Sequence, residues 1–276
     1  MLRANSALVH QINHLVVPPG QLALWSLGQA GFIFKGGSTI GCIDPYLSDA
    51  IACQGGPTRR FPPPLDPADL TNVQWVFTTH EHEDHIDPET LVPLFSASTR
   101  AILVTSLQGR EIALKAGIDP QRIRVPGIGQ QVETDDLTYT AVPAAHYHYE
   151  VDDQQHARWM GYLIQCNGVT LYHAGDTLVI PELLAALTGV PLDLALLPIN
   201  GRDYFREEQG FIGNLWPNEA VQLAQRLAPR VLIGMHNDLF ASNRVRPGLL
   251  FDELDCLTPF QRCHLLQPGE LYLYAS

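Results

Sequence analysis

From Leu22 onward, short apolar runs alternate with glycine turns: Leu22–Leu27, Gly31–Phe34 and Thr39–Ile43. This pattern predicts three β-strands of a meander. Gly55–Pro64 carries too many glycines and prolines for regular structure and reads as a loop. The apolar, β-branched run Val73–Thr79 predicts a strand ending at His80, and Asp87-Pro88-Glu89 supplies the N-cap, first-turn proline and early acid of a helix start. Ala101–Val104 predicts a further strand, followed by a helix from about Leu107 that stops at Gly117.

The second half repeats this outline. Strands are predicted at about Leu137–Val142, Gly161–Cys166, Val169–His173 and Leu194–Pro198, with Asn167-Gly168 as a two-residue hairpin turn. A helix from Pro217 places Ala220, Leu223, Ala224 and Leu227 on one face, and the strand Val231–Met235 ends at His236. Two strand-rich halves with outer helices predict an α/β fold, a four-layer αββα sandwich. No linker, low-complexity tract or short repeat divides it, so residues 1–276 read as a single domain.

Composition narrows the class only moderately. Hydrophobic residues make up 46% and charged residues 17% of the 276 positions, as in ordinary globular proteins. A net charge of −12 gives no general attraction to nucleic acid or to an anionic membrane, so a small-molecule substrate is the expected partner. There is no 18-residue apolar run and no secretory leader pattern, which predicts a cytoplasmic location without membrane contact. Five cysteines without a C-x-x-C pair point to free thiols rather than a disulfide framework or thiolate zinc site.

Chemistry concentrates in Thr79-His80-Glu81-His82-Glu83-Asp84-His85. On an extended segment the side chains of His80 and His82 project to one side and can converge on one ion. Asp84 and His85, where the chain turns, can reach a second position, as in two-metal sites about 3.5–4 Å across. His146, Asp176 and His236 follow at later strand ends, and together these seven residues can fill two sites. His148 rivals His146 as a ligand. The bland alternative, a solvated polar loop, does not explain ligand-type residues at four strand ends. Imidazole and carboxylate donors suit zinc, manganese or iron, so two divalent transition-metal ions are expected, or one with an open position.

The H-x-H-x-D-H run His80–His85, with His146, Asp176, His236 and the early Ile43-Asp44-Pro45, resembles the metallo-β-lactamase superfamily from about Leu22 to Asn243. The resemblance implies that His80, His82 and His146 hold one metal, that Asp84, His85 and His236 hold the other, and that Asp176 bridges them. It also implies that Asp44 orients a ligand from behind. His173, three residues before Asp176, is either a further residue of that kind or a strand histidine bonded to a backbone group. Metal-bound hydroxide would be the nucleophile, with Asp84 and Asp176 in catalytic roles.

Three segments, Trp25–Gly31, Leu197–Asp203 and Met235–Phe240, narrow the resemblance to the UlaG-type L-ascorbate-6-phosphate lactonases. That implies opening of a sugar-derived lactone, phosphorylated or not. Arg202, Arg206 and Arg59-Arg60 are candidates for holding an anion, and Asn200, Tyr204 and Asn237 for other substrate contacts. Two other classes remain open: a metal-dependent phosphodiesterase or nuclease, which the negative charge disfavours, and a non-catalytic metal-binding sensor. Self-association as a homo-oligomer through loops around the mouth is compatible with this reading.

Overall fold

The computed structural model describes residues 2–276. Strands are numbered in chain order. One sheet contains β1 (Gln21–Gly28), β2 (Gly31–Gly36), β3 (Thr39–Ile43), β4 (Trp75–Phe77), β5 (Ile102–Val104), β6 (Ile123–Arg124) and β14 (Leu271–Ala275), in the order β14-β1-β2-β3-β4-β5-β6. The other contains β7 (Gln131–Glu133), β8 (Thr138–Pro143), β9 (Met160–Cys166), β10 (Val169–His173), β11 (Leu194–Pro198), β12 (Val231–Met235) and β13 (Arg262–His264), in the order β13-β12-β11-β10-β9-β8-β7. Both sheets are mixed. Pairings from β3 to β6 and from β10 to β13 are parallel, and the remainder are antiparallel.

Alternation along β1 and β2 shows how the layers are separated. Leu22, Leu24, Phe32 and Phe34 enter the core between the sheets, whereas Ala23, Trp25, Leu27 and Ile33 lie in an outer core. That outer core also takes in Ile12 of α1 (Leu2–His14), Leu91, Leu94 and Phe95 of α3 (Pro88–Ala97), and Ala113 of α4 (Leu107–Lys115). Both strand faces are buried, which is why these segments read as continuous apolar runs. Helices α5 (Pro181–Leu187), α7 (Pro217–Leu227) and α8 (Gly248–Leu257) cover the second sheet through Leu183, Leu223, Leu227, Leu250 and Leu254. Short helices α2 (Ala50–Cys53) and α6 (Tyr204–Glu208) lie in loops. The result is the αββα sandwich that the patterning predicts.

Local signals account for the predicted boundaries. Asp87 caps α3 by accepting from Glu89 N–H, with Pro88 in the first turn. Asn167 and Gly168, at φ 54° and 82°, close the β9–β10 hairpin with both central residues left-handed. The strand predicted from Val73 is regular only over Trp75–Phe77. Helices α1, α2, α5, α6 and α8 and strands β6, β7, β13 and β14 are additional to the sequence reading. The last two are the least local: β13 joins the edge beside β12, and β14 then crosses to pair with β1. No helix among the described residues is long and apolar enough to cross a membrane.

Candidate metal centre

Parallel strand pairing brings the chemistry to one end of the sandwich. Asp44 and His80 follow the neighbouring parallel strands β3 and β4, and Asp176 and His236 follow β10 and β12 in the other parallel set. Strand β8 is antiparallel to β9, which is antiparallel to β10, so β8 runs with β10 and delivers His146 to the same end. Carboxyl ends of parallel strands are where α/β sheets place their sites.

The donor atoms of His80, His82, His146 and Asp176 lie within 4.8 Å of one another, as do those of Asp84, His85 and His236. Asp176 joins the two groups: Oδ2 is 3.2 Å from His146 Nε2, while Oδ1 is 3.2 Å from His236 Nε2 and 3.5 Å from His85 Nε2. His80 Nε2 and His82 Nδ1 face each other at 2.8 Å. Their convergence does not arise from strand alternation, because β4 ends at Phe77. Residues His80–His85 form a bend and a turn in which His85 and Ile86 N–H both donate to His82 O.

His146 is buried, with its side chain fully covered, whereas the His148 side chain is 75% exposed and near only Glu150; of the two, the structure places His146 in the cluster. Both ring nitrogens of His146, and Asp176 Oδ1, are buried without a hydrogen-bond partner in the protein. Unpaired buried nitrogen and oxygen donors, aimed at common points, fit divalent ions with a preference for imidazole and carboxylate.

Behind this layer, Asp44 Oδ2 accepts from His85 Nδ1 at 2.7 Å, and Oδ1 accepts from Thr79 N–H at 2.8 Å. Thr79 Oγ1 donates to Asp44 Oδ2 and lies 3.0 Å from His80 Nδ1, so one carboxylate orients two imidazoles. His173 does not reach the cluster. Its Nε2 is 2.8 Å from Ala30 O and its Nδ1 accepts from Gly175 N–H, which makes it a strut between the β1–β2 turn and the Asp176 loop. At Gly175 (φ 62°), a Cβ would lie 2.9 Å from Met160 O and from Thr79 Cβ, so glycine permits the close approach that seats Asp176.

Sequence reading missed Gln29. Its Nε2 donates to Asp84 Oδ2 at 2.8 Å and lies 3.2 Å from His236 Nε2, its N–H donates to Asp238 Oδ1, and its carbonyl accepts from His236 N–H. Gln29, Asp44 and His236 all have positive φ, at 57°, 45° and 60°, so backbone strain is gathered at the centre, as at many functional sites. The only available signal was Gln29's place in a Gly-Gln-Ala-Gly turn, which does not reveal its distant partners.

The centre floors a cleft of about 380 Å3 lined by Glu81, Glu83, Asn243 and an apolar wall of Ile51, Pro57, Phe211, Ile212 and Phe240. The candidate substrate contacts lie elsewhere. Asn200 is buried and bonded to Asn243 and Asn214. Arg202 clamps both Glu219 oxygens and Asn214 O, because Glu219, on the first turn of α7, is the nearest strong acceptor. Tyr204 is 65% exposed and donates to Glu208. Asn237 braces Val245 through both N–H and C=O and borders a separate recess. Arg59 donates through Nε to Phe61 O and through Nη1 to Tyr46 O and Ser48 O, its Nη2 being buried without a partner; Arg60 donates to Asp238 O, and Arg206 to Asp203, Asn200 O and Asn243.

The two groups differ in protonation. Burial holds His80 well below the ordinary histidine value and lowers His82, and neighbouring imidazoles add to both shifts. Burial also works against charge at His85 and His236. There the carboxylates prevail: Asp176, Asp44 and Asp84 raise His85 well above its usual range, and Asp176 and Asp84 raise His236 to about 9. Against their own burial, Asp84 and Asp176 stay ionised through these imidazoles. In the metal-free protein at neutral pH, a cation entering the Asp84/His85/His236 group must therefore expel protons, and one entering at His80/His82 need not. Affinity at the former group is expected to rise with pH as His236, raised to about 9, and His85, also raised, lose their protons. Calorimetry in buffers of different ionisation enthalpy at pH 7 checks this: one binding step releases about one to two protons, and equal release in both steps would contradict the asymmetry.

Fold and site together define an αββα protein with a His/Asp metal centre at the strand ends. Residues 42–237 match the family described as the β-lactamase superfamily domain. A UPF0173 metal-dependent hydrolase of Thermococcus kodakarensis is 33% identical over 253 residues, covering 88% of this chain and 96% of its own. Another from Pyrococcus furiosus is 31% identical over 216 residues, covering 76% and 82%. The chain belongs to the β-lactamase superfamily and, within it, to the UPF0173 metal-dependent hydrolase family. Igni18, a metallo hydrolase from Ignicoccus hospitalis, shares the fold with a TM-score of 0.69 at 20% identity over 93% of this chain and 99% of that one.

Proposed function

We propose that this protein is a metal-dependent hydrolase that opens a small carbonyl substrate, with a lactone as the first candidate. The observation that carries the reading is the pair of donor groups meeting on Asp176 at the floor of an open cleft. Divalent ions held by the seven residues would supply Lewis acidity and make water a nucleophile at neutral pH.

The chain's own residues supply the rest. Asp176 and Asp84, both lining the cleft, are placed to orient the attacking water and to accept its proton. Gln29 fixes Asp84 by donating to Oδ2, and Asp44 holds the His85 ring from behind. Asn243 takes the place the sequence reading gave to Asn200. Its Oδ1 accepts from Asn200 Nδ2 and Arg206, which leaves the amide nitrogen to donate to a substrate oxygen.

Among the described lining residues of the cleft there is no lysine or arginine, so the sugar-phosphate version of the lactone finds no guanidinium or ammonium partner there. Lactone, thioester and phosphodiester substrates, tested with added zinc or manganese, discriminate the readings. Lactone turnover is expected; turnover of phosphodiesters without any lactone would replace the reading by the phosphodiesterase one.

A further inference from the structure

The segment that sequence reading gave to anion binding builds something else. Helix α6 ends in a double hydrogen-bonded turn: Phe211 N–H donates to Arg206 O and Gly210 N–H to Glu207 O, with Gly210 in the left-handed region at φ 83°. This C-terminal motif fixes the direction in which the chain leaves the helix. Asn214 N–H donates to Gly201 O and Gly201 N–H to Leu215 O, closing the segment at its base. Arg202 and Arg206 brace it through Asn214 O and Asn200 O. The braced segment presents Phe211 and Ile212 to the cleft.

Phe240 and Ile51 also line the cleft, backed by Tyr46 in a small apolar cluster. Arg59 stacks over Tyr46 at 4.9 Å and stiffens that wall from behind. Outside the metal-binding group, the charged side chains lining the cleft are Glu83 and Glu81, the latter paired with Arg158. The nearby guanidinium of Arg158 is held by Glu81 and Glu150. Arg60 and Arg244 border the separate recess that Asn237 and Asp238 also line.

We infer that the cleft selects an uncharged carbonyl substrate bearing a compact apolar arm, and that Phe211 is its principal specificity-determining residue. This rests on the hydrolase reading above and names its substrate class. An apolar arm gains by leaving water against Phe211, Ile212 and Phe240, whereas an anionic arm loses hydration against those side chains, finds no lysine or arginine among the lining residues, and meets the Glu83 carboxylate.

The test separates binding from turnover. Titration calorimetry on the metal-replete protein compares three hydrolysis-resistant γ-lactams: unsubstituted, bearing a butyl arm, and bearing an arm of similar length ending in a carboxylate. The butyl lactam is expected to bind at least about tenfold more tightly than the carboxylate one. Phe211→Ala is expected to reduce the butyl-over-unsubstituted preference about tenfold, and Phe211→Leu to keep most of it. Equal or tighter binding of the carboxylate lactam, no binding of the butyl lactam, or an unchanged preference in a folded Phe211→Ala variant overturns the inference. Lactone turnover without this preference sinks the inference alone; the preference without turnover of any lactone sinks the lactone reading alone.

Discussion

Asp176→Ala is expected to lower hydrolysis by about a thousandfold and to deplete metal from both halves of the centre together. Each carboxylate oxygen faces a different group, Oδ2 towards His146 and Oδ1 towards His85 and His236. Alanine removes a donor from both and leaves His85 and His236 without the anion that most strongly raises them. Metal analysis beside kcat for the purified variant reads both effects. His148→Ala is the matched control, because that ring is exposed and outside the cluster. Full metal content in Asp176→Ala would remove Asp176 from its bridging position.

Asp44→Ala is expected to cost about 3–5 kcal/mol of stability, since it breaks a fully buried pair with His85. It also strips Thr79 N–H of its acceptor, releasing the residue that orients His80. Metal affinity should fall about 10–100-fold for the same reason. Asp44→Asn separates charge from geometry: asparagine tolerates φ 45° and can still accept from Thr79, but it no longer offers His85 an anion. Denaturant midpoints with metal titrations should place Asn between wild type and Ala. An Asp44→Ala variant within about 1 kcal/mol of wild type would show that another group supports His85.

The legible features carried their own explanation. Asn167-Gly168 specifies its hairpin because both residues tolerate positive φ, and Asp87-Pro88 starts α3 because a carboxylate cap and a proline without N–H suit a helix's first turn. The ligand-type residues were legible because imidazole and carboxylate groups at strand ends have few other uses in such density. The detail of the His80–His85 segment was not, because its bend is held by contacts to His82 O rather than by strand pairing.

The arginines and asparagines show the limit most clearly. Arg202 looks the same in sequence whether it meets a substrate phosphate or Glu219, and only the docking of α7 beside its loop decides between them. Asn200 and Asn243 are equally polar in sequence, and packing buries both, yet only the second lines the cleft. Gln29 acquires its role from Asp84, His236 and Asp238, all distant along the chain.

The sequence by itself determined the αββα layering and the set of groups able to hold metal, because hydrophobic period, turn chemistry and ligand type are properties of short segments. Only the tertiary structure decided that β14 closes the first sheet, that Gln29 reaches Asp84 and His236, and that the cleft is walled by Phe211 and Phe240 rather than by arginine. Those outcomes depend on which distant partner reaches a side chain first, and that competition is settled when the two sheets close on each other.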